Sequence, residues 1–230
     1  MNIRNMNKIK SFLTRLKKEK LEYIGVLWSM AFNGLFFFAK NKNFTFNNKK
    51  YRYYYNKYNH TWMNERTVEI PIIIDEIKSS GGEILEIGNV LNHYYPFEHT
   101  IVDKYEKANG VVNKDVVDFN LKNKYDLIIS ISTIEHVGWD EELQDPNKIP
   151  VAIKNMKKHL KKGGKIILTV PIGHNPYLDN LIEEKKLFSK LYFLKRQFMN
   201  RWKQVEFEKV KGVKYHLDRS NAIAILIIEN

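Results

Sequence analysis

Along residues 67–171 the apolar positions switch repeatedly between unbroken runs and helical spacing. TVEIPIIIDEIKSS (67–80) carries apolar residues at helical spacing around Pro71 and stops at Gly81-Gly82. EILEIG (83–88) reads as a strand, HTIVDK (99–104) as a second, and NKDVVDF (113–119) as a short third. YDLIISIS (125–132), almost continuously apolar, reads as a buried fourth. IPVAIKNMKKHLKK (149–162) returns to helical spacing through Val151, Ile153, Met156 and Leu160, with Pro150 in its first turn and Gly163-Gly164 ending it. KIILTVP (165–171) is a fifth strand, and AIAILIIEN (222–230) is a closing one preceded by the extended WKQVEFEKV (202–210). Strands this apolar, alternating with helices, predict an α/β fold: a doubly wound, mostly parallel sheet covered on both faces.

The pattern before residue 61 is different. Residues 23–39 (YIGVLWSMAFNGLFFFA) hold seventeen positions without a charge, behind a basic stretch with Ile9, Phe12, Leu13 and Leu16 at helical spacing. That length is at the short end for a bilayer span, and basic residues flank both sides, so no orientation is readable. Interfacial, domain-packed and spanning helices all fit. NFTFNNKKYRYYYNKYN (43–59) alternates on either side of Asn47-Asn48, as a hairpin does. The chain therefore divides into a basic helical and hairpin N-terminal extension, 1–60, and an α/β domain, 61–230.

Charge sharpens that division. The formal net charge is +12, but residues 1–66 hold 14 Lys+Arg against 3 Asp+Glu, and residues 67–230 carry a net charge of only +1. Such an arm suits the phosphates of an anionic membrane or of RNA. The domain's own surface is balanced, which disfavours nucleic acid as its partner. The chain has no cysteine, so disulfides, thiolate metal sites and a Cys nucleophile are excluded. HEXXH, P-loop and nucleophile-elbow patterns are also missing, and no metal is expected.

In a doubly wound sheet ligands sit at the carboxyl ends of the strands. There the sequence places Glu86 and Gly88 after the first strand, Asp103 after the second, Asp115 and Asp118 around the third, and STIEHVGWD after the fourth. A carboxylate can accept both hydroxyls of a ribose, and a turn's N–H groups can meet a base or a carboxylate.

The ordered set ILEIG, VDK, DVVDF, YDLIISISTIEHV and LKKGGKIILTVP resembles the class I S-adenosylmethionine-dependent methyltransferases of small-molecule type, over about 83–171. The resemblance implies a Rossmann-like, seven-stranded sheet with its seventh strand inserted antiparallel, and S-adenosylmethionine as cofactor. It assigns Glu86 to the methionine end and Gly88, with Asn89 beside it, to the cofactor loop. Asp103, with its neighbour Lys104, falls to the ribose. Asp115 and Val116 fall to the adenine, with Asp118 a rival for the first of these, and Ile131 and Ser132 to the methionine amine. His136, and His174 in PIGHNPYLDN, become the candidate general bases; Trp139 and Asp140 would shape the acceptor pocket, and Thr61, Glu65 and Arg66 would form a lid. The sequence departs from the family at Val90 and Asn92, which stand where the loop's second and third glycines are usual. A dinucleotide's pyrophosphate needs that close backbone approach; S-adenosylmethionine has no phosphate. The expected activity is methyl transfer, with oxygen the first choice of acceptor atom, on a small-molecule, glycan or lipid-linked acceptor. The arm would place it as a peripheral protein at the cytoplasmic face of a membrane through residues 1–40. An RNA methyltransferase using the arm and a non-catalytic S-adenosylmethionine-binding module are the alternatives.

Overall fold

The computed structural model describes residues 42–215 and 219–229. The segment 1–40, on which the membrane reading falls, lies outside the described residues. Among the described residues no helix is long and apolar enough to cross a membrane.

The hairpin forms as the alternation predicts, with β1 (Asn43–Phe46) antiparallel to β2 (Lys49–Arg52). Asn47 and Asn48 both take positive φ, 47° and 62°, the turn chemistry for which Asn is favoured. Phe44, Phe46 and Tyr53 are buried in the same cluster as Val68, Ile70 and Ile73 of α1 (Arg66–Ser80). One compact body runs from Asn43 to Asn230, so it includes the hairpin that charge had grouped with the extension. Pro71 lies inside α1 and cannot donate to the Thr67 carbonyl four residues back. That carbonyl instead accepts from the Tyr54 N–H at 2.9 Å, which joins the hairpin to the helix through the backbone.

Among the described residues eight strands make the main sheet: β3 (Ile84–Ile87), β4 (Thr100–Val102), β5 (Val111–Val112), β6 (Tyr125–Ile131), β7 (Leu160–Pro171), β8 (Lys190–Gln197), β9 (Arg201–Val205) and β10 (Ala222–Glu229). Their order is β5-β4-β3-β6-β7-β10-β8-β9. β5, β4, β3, β6 and β7 are parallel to their neighbours, and β10 enters antiparallel between β7 and β8. That is the Rossmann-like methyltransferase arrangement, with β9 an added antiparallel edge. Side chains of the central strands divide by period two. Ile128 of β6 and Ile166, Leu168 and Val170 of β7 face α2 (Lys148–Lys158) and α3 (Pro176–Glu184); Leu127, Ile129, Ile131 and Ile167 face α1 and the hairpin.

Some boundaries differ from the sequence reading. The third strand is Val111–Val112, not 113–119, because Asp115 opens a turn in which Asp118 and Phe119 donate to its carbonyl. α2 ends at Lys158 rather than at the glycines: Leu160 already pairs with Tyr125, and β7 runs on through Gly163-Gly164. Its buried stripe is Ile149, Ala152, Ile153 and Met156, while Val151 is exposed.

Candidate functional site

The chain after β3 explains the missing glycines. Gly88 has φ +86°, and a Cβ there would fall 2.3 Å from Thr133 Oγ1. At this position glycine is needed both for the backbone and for the close approach. Val90 has φ −100°, and neither it nor Asn92 is among the residues with positive φ, so the next two loop positions accept ordinary side chains. Glu86 holds this loop from below. Its Oε1 accepts from Val90 N at 3.0 Å and Leu91 N at 2.6 Å, and its Oε2 meets His99 Nε2 at 2.8 Å. Glu86 is fully buried and fastens the turn Leu91–His93 instead of facing the cavity.

That cavity, about 290 Å³, opens at the carboxyl ends of β3, β4 and β6. Gly88, Asp103, Lys104, Asp115, Val116, Thr133, His136, Asp140 and Glu141 are among its lining residues. Its volume is at the lower bound of small-molecule sites, roughly 300–1,000 Å³. Asp103 Oδ1 accepts from Tyr105 N at 2.8 Å and Glu106 N at 2.7 Å, while Oδ2 accepts from Asn89 N at 3.0 Å. A carboxylate offers about four acceptor positions, so one remains for a ligand. Asn89 contributes its backbone to Asp103, and its side chain donates to Glu106 Oε1 at 2.7 Å. Lys104 Nζ lies 2.8 Å from Asp115 Oδ2 and 3.3 Å from Glu141 Oε1, and Lys148 pairs with Glu141 as well. Burial works against the Asp115 carboxylate, but Lys104, the Val117 N–H and Lys148 together more than offset it and hold its pKa below the ordinary value. The hydrogen bond to Asp115 in turn raises that of Lys104.

Several expected residues lie elsewhere. Asp118 is exposed and does not line the cavity, whereas Asp115 does. Ile131 is in the core against α1. Ser132, at φ +38°, donates its hydroxyl to Glu69 Oε1 at 2.8 Å and its N–H to Thr169 O. The expected lid residues are tied into the fold: Thr61 and Glu65 are buried and Arg66 is partly so, with Thr61 capping its own loop, Arg66 paired with Glu69 at 2.5 Å, and Glu65 accepting from Ser220 N at 3.2 Å. Burial lifts the Glu65 carboxyl above its ordinary pKa, with Glu69 adding to the effect. Glu135, which taken singly reads from sequence like a solvated helix start, is 1 % exposed. Burial pushes its carboxyl well above the ordinary pKa, and its Oε2 has no hydrogen-bond partner.

The two histidines come together. His136 Nδ1 lies 2.5 Å and His174 Nε2 3.0 Å from the same oxygen, Asp140 Oδ2, and the rings pack at 4.8 Å. Asn175 joins their loops. Its side-chain oxygen caps α3 through Tyr177 N and Leu178 N, and its Nδ2 donates to the Glu135 carbonyl at 2.8 Å. Sequence reasoning missed Asn175, although Asn followed by Pro is the usual opening of a helix. It missed Glu141 and Lys148 because no local pattern marks them, and it gave Thr133, inside STIEHVGWD, no role of its own. Trp139 packs edge-on to Tyr177 and stands outside the cavity lining.

Comparison of the sequence with protein-family models and with curated proteins finds no match. Among solved structures, the chain is similar to the N-methyltransferase NodS from Bradyrhizobium japonicum, at 14% identity and TM-score 0.44 over 69% of this chain and 92% of that one. It is also similar to TehB from Haemophilus influenzae, at 13% identity and TM-score 0.42 over 72% and 63%. A third is an S-adenosylmethionine-bound amino pentose methyltransferase from Micromonospora echinaspora, at 15% identity and TM-score 0.37 over 50% and 56%. Likeness at this level does not extend to their acceptors.

Proposed function

We propose that the chain is an S-adenosylmethionine-dependent methyltransferase acting on the hydroxyl of a small-molecule, glycan or lipid-linked acceptor. The observation that carries this reading is the cavity at the carboxyl ends of β3, β4 and β6. Its lining holds a glycine that admits no Cβ, a carboxylate with one acceptor position free, the Asp115–Val116 pair, and His136 with Asp140. These residues fit the cofactor's parts: Gly88 allows close backbone approach, Asp103 would take a ribose hydroxyl, and Asp115 with Val116 would border the adenine. Bound there, S-adenosylmethionine would supply an electrophilic methyl group on a sulfonium.

The chain's own work is then to position the acceptor and hold its proton, since alignment supplies much of the rate in a displacement of this kind. The His136–Asp140–His174 cluster is where a hydroxyl proton would be managed. Lys104 bears on affinity, because its ammonium already occupies Asp115. Calorimetric titration with S-adenosylmethionine and its demethylated product tests the reading. Asp103→Ala should weaken binding by about 1.5–3 kcal/mol, the range for a hydrogen bond to a charged group. Absence of binding by the unaltered protein would remove the function; unchanged affinity in a folded Asp103→Ala protein would remove the ribose assignment.

A further inference from the structure

We propose that His136, Asp140 and His174 bind one divalent first-row transition-metal ion, of the zinc, cobalt or iron kind, at the rim of the cavity. The three can each turn one ligand atom to a common point. Those atoms, one imidazole nitrogen from each histidine and one oxygen of Asp140, lie within 4.8 Å of one another. Around an ion with bonds of about 2.1 Å, neighbouring ligand atoms are roughly 3 Å apart. The two nitrogen-to-Asp140 distances, 2.5 Å and 3.0 Å, are of that size, and the 4.8 Å spread of the whole set means that the two imidazoles must close on each other as the ion enters.

Two loops supply the ligands, one after β6 and one after β7, adjacent central strands whose carboxyl ends form the ligand side of such a sheet. His136 and Asp140 share a turn through Gly138, which has φ +68° and whose Cβ would meet the Asp145 carbonyl at 2.2 Å. Asn175 clamps the second loop to the first. A ligating imidazole usually directs its other nitrogen to a carboxylate or carbonyl; the nearest such group to His136 Nε2 is Glu135 Oε1 at 3.7 Å, which a small shift on binding would bring into hydrogen-bond range. The Tyr215 ring packs perpendicular to the His174 ring at 4.9 Å and restricts its rotation.

Two imidazoles with one carboxylate suit zinc, iron, cobalt or nickel better than magnesium or calcium, which prefer oxygen ligands. Three protein ligands leave coordination positions open, the mark of a site that also takes substrate. His136 and Asp140 line the cavity, so an open position there would meet the acceptor. Coordination of the acceptor's hydroxyl oxygen would lower its pKa and fix its direction. This last step rests on the proposed methyltransferase reading; binding of the ion does not.

The test is titration of the chelator-treated full chain, without S-adenosylmethionine, with Co²⁺ followed by visible absorption and with Zn²⁺ by calorimetry. One ion per chain is expected, with Mg²⁺ failing to compete. His136→Gln and His174→Gln should each weaken binding on the order of 100-fold or more, and Glu135→Gln about 10–100-fold, as outer-sphere changes do. His136 is half exposed, so His136→Gln keeps the question open to measurement if the buried variants fail to fold. No binding, binding that ignores His136→Gln, or preference for Mg²⁺ would each overturn the proposal. Since the cofactor titration is separate, a chain that binds Co²⁺ but not S-adenosylmethionine sinks only the proposed function, and the converse sinks only this site.

Discussion

Asp179 is in the first turn of α3, where its Oδ2 accepts from Gly173 N at 3.0 Å. Burial pushes its carboxyl from 3.8 up to about 6, although the Gly173 hydrogen bond and nearby His174 pull the other way. Between those two values the folded chain holds a proton that the unfolded chain has released. Stability therefore falls as pH rises from about 4 to about 6 and stays lowered above that. At about 1.4 kcal/mol per pH unit the full penalty would be about 3 kcal/mol. Because the carboxyl is only partly buried, solvent screening reduces this to about 1–2 kcal/mol. Asp179→Asn keeps the shape and an oxygen for Gly173 N while removing the charge. The variant should be more stable than the parent by that amount at about pH 7.5 and equal to it at about pH 4. Urea unfolding followed by circular dichroism should show a midpoint raised by roughly 0.5–1 M at the higher pH. An equal shift at both pH values, or a less stable variant at neutral pH, would refute the argument.

Gly88→Ala should destabilise the fold by at least about 1–2 kcal/mol from the left-handed backbone alone, with more from the clash with Thr133, and should abolish cofactor binding. Adding Thr133→Ala should recover part of the loss in a double-mutant cycle, and strictly additive costs would show the contact to be unimportant. For the arm, each Lys or Arg near an anionic leaflet is worth about 1 kcal/mol, so the full chain should sediment with anionic liposomes at low salt. If it stays in the supernatant as fully as a chain lacking 1–40, the membrane reading fails.

What could be read from sequence was whatever depends on local spacing. The buried parallel strands, the Asn47-Asn48 turn and the order of carboxylates along the chain all follow from period and residue type. What could not be read depends on where side chains turn. Glu86 looks like a ligand-facing acid, but two backbone N–H groups and His99 draw it into the core. Asp115 and Asp118 are indistinguishable in DVVDF, and only the turn opened by Asp115 decides that one lines the cavity and the other faces solvent. α3 was hidden because PIGHNPYLDN is dense in turn-forming residues, although its Asn-Pro start was a usable signal. β8 (KLYFLKRQ) escaped because its polar positions reflect a place near the sheet edge, where one neighbour is the short β9. The His136–Asp140–His174 cluster needs two loops 34 residues apart to meet, and nothing in either stretch announces the other.

The backbone joint at Pro71 sets a limit on how far the chain can be trimmed. The change in charge near residue 66 invites a cut there, yet such a cut would take Tyr54 with it. The carbonyl of fully buried Thr67 would then be stranded, at about 1–3 kcal/mol, and the apolar face beneath Phe44 and Phe46 would be laid bare. α1 is a helix written with one bond missing and the hairpin supplies it. A chain that keeps this joint must therefore begin no later than Asn43, and a comparison meant to isolate the basic arm should cut before that residue.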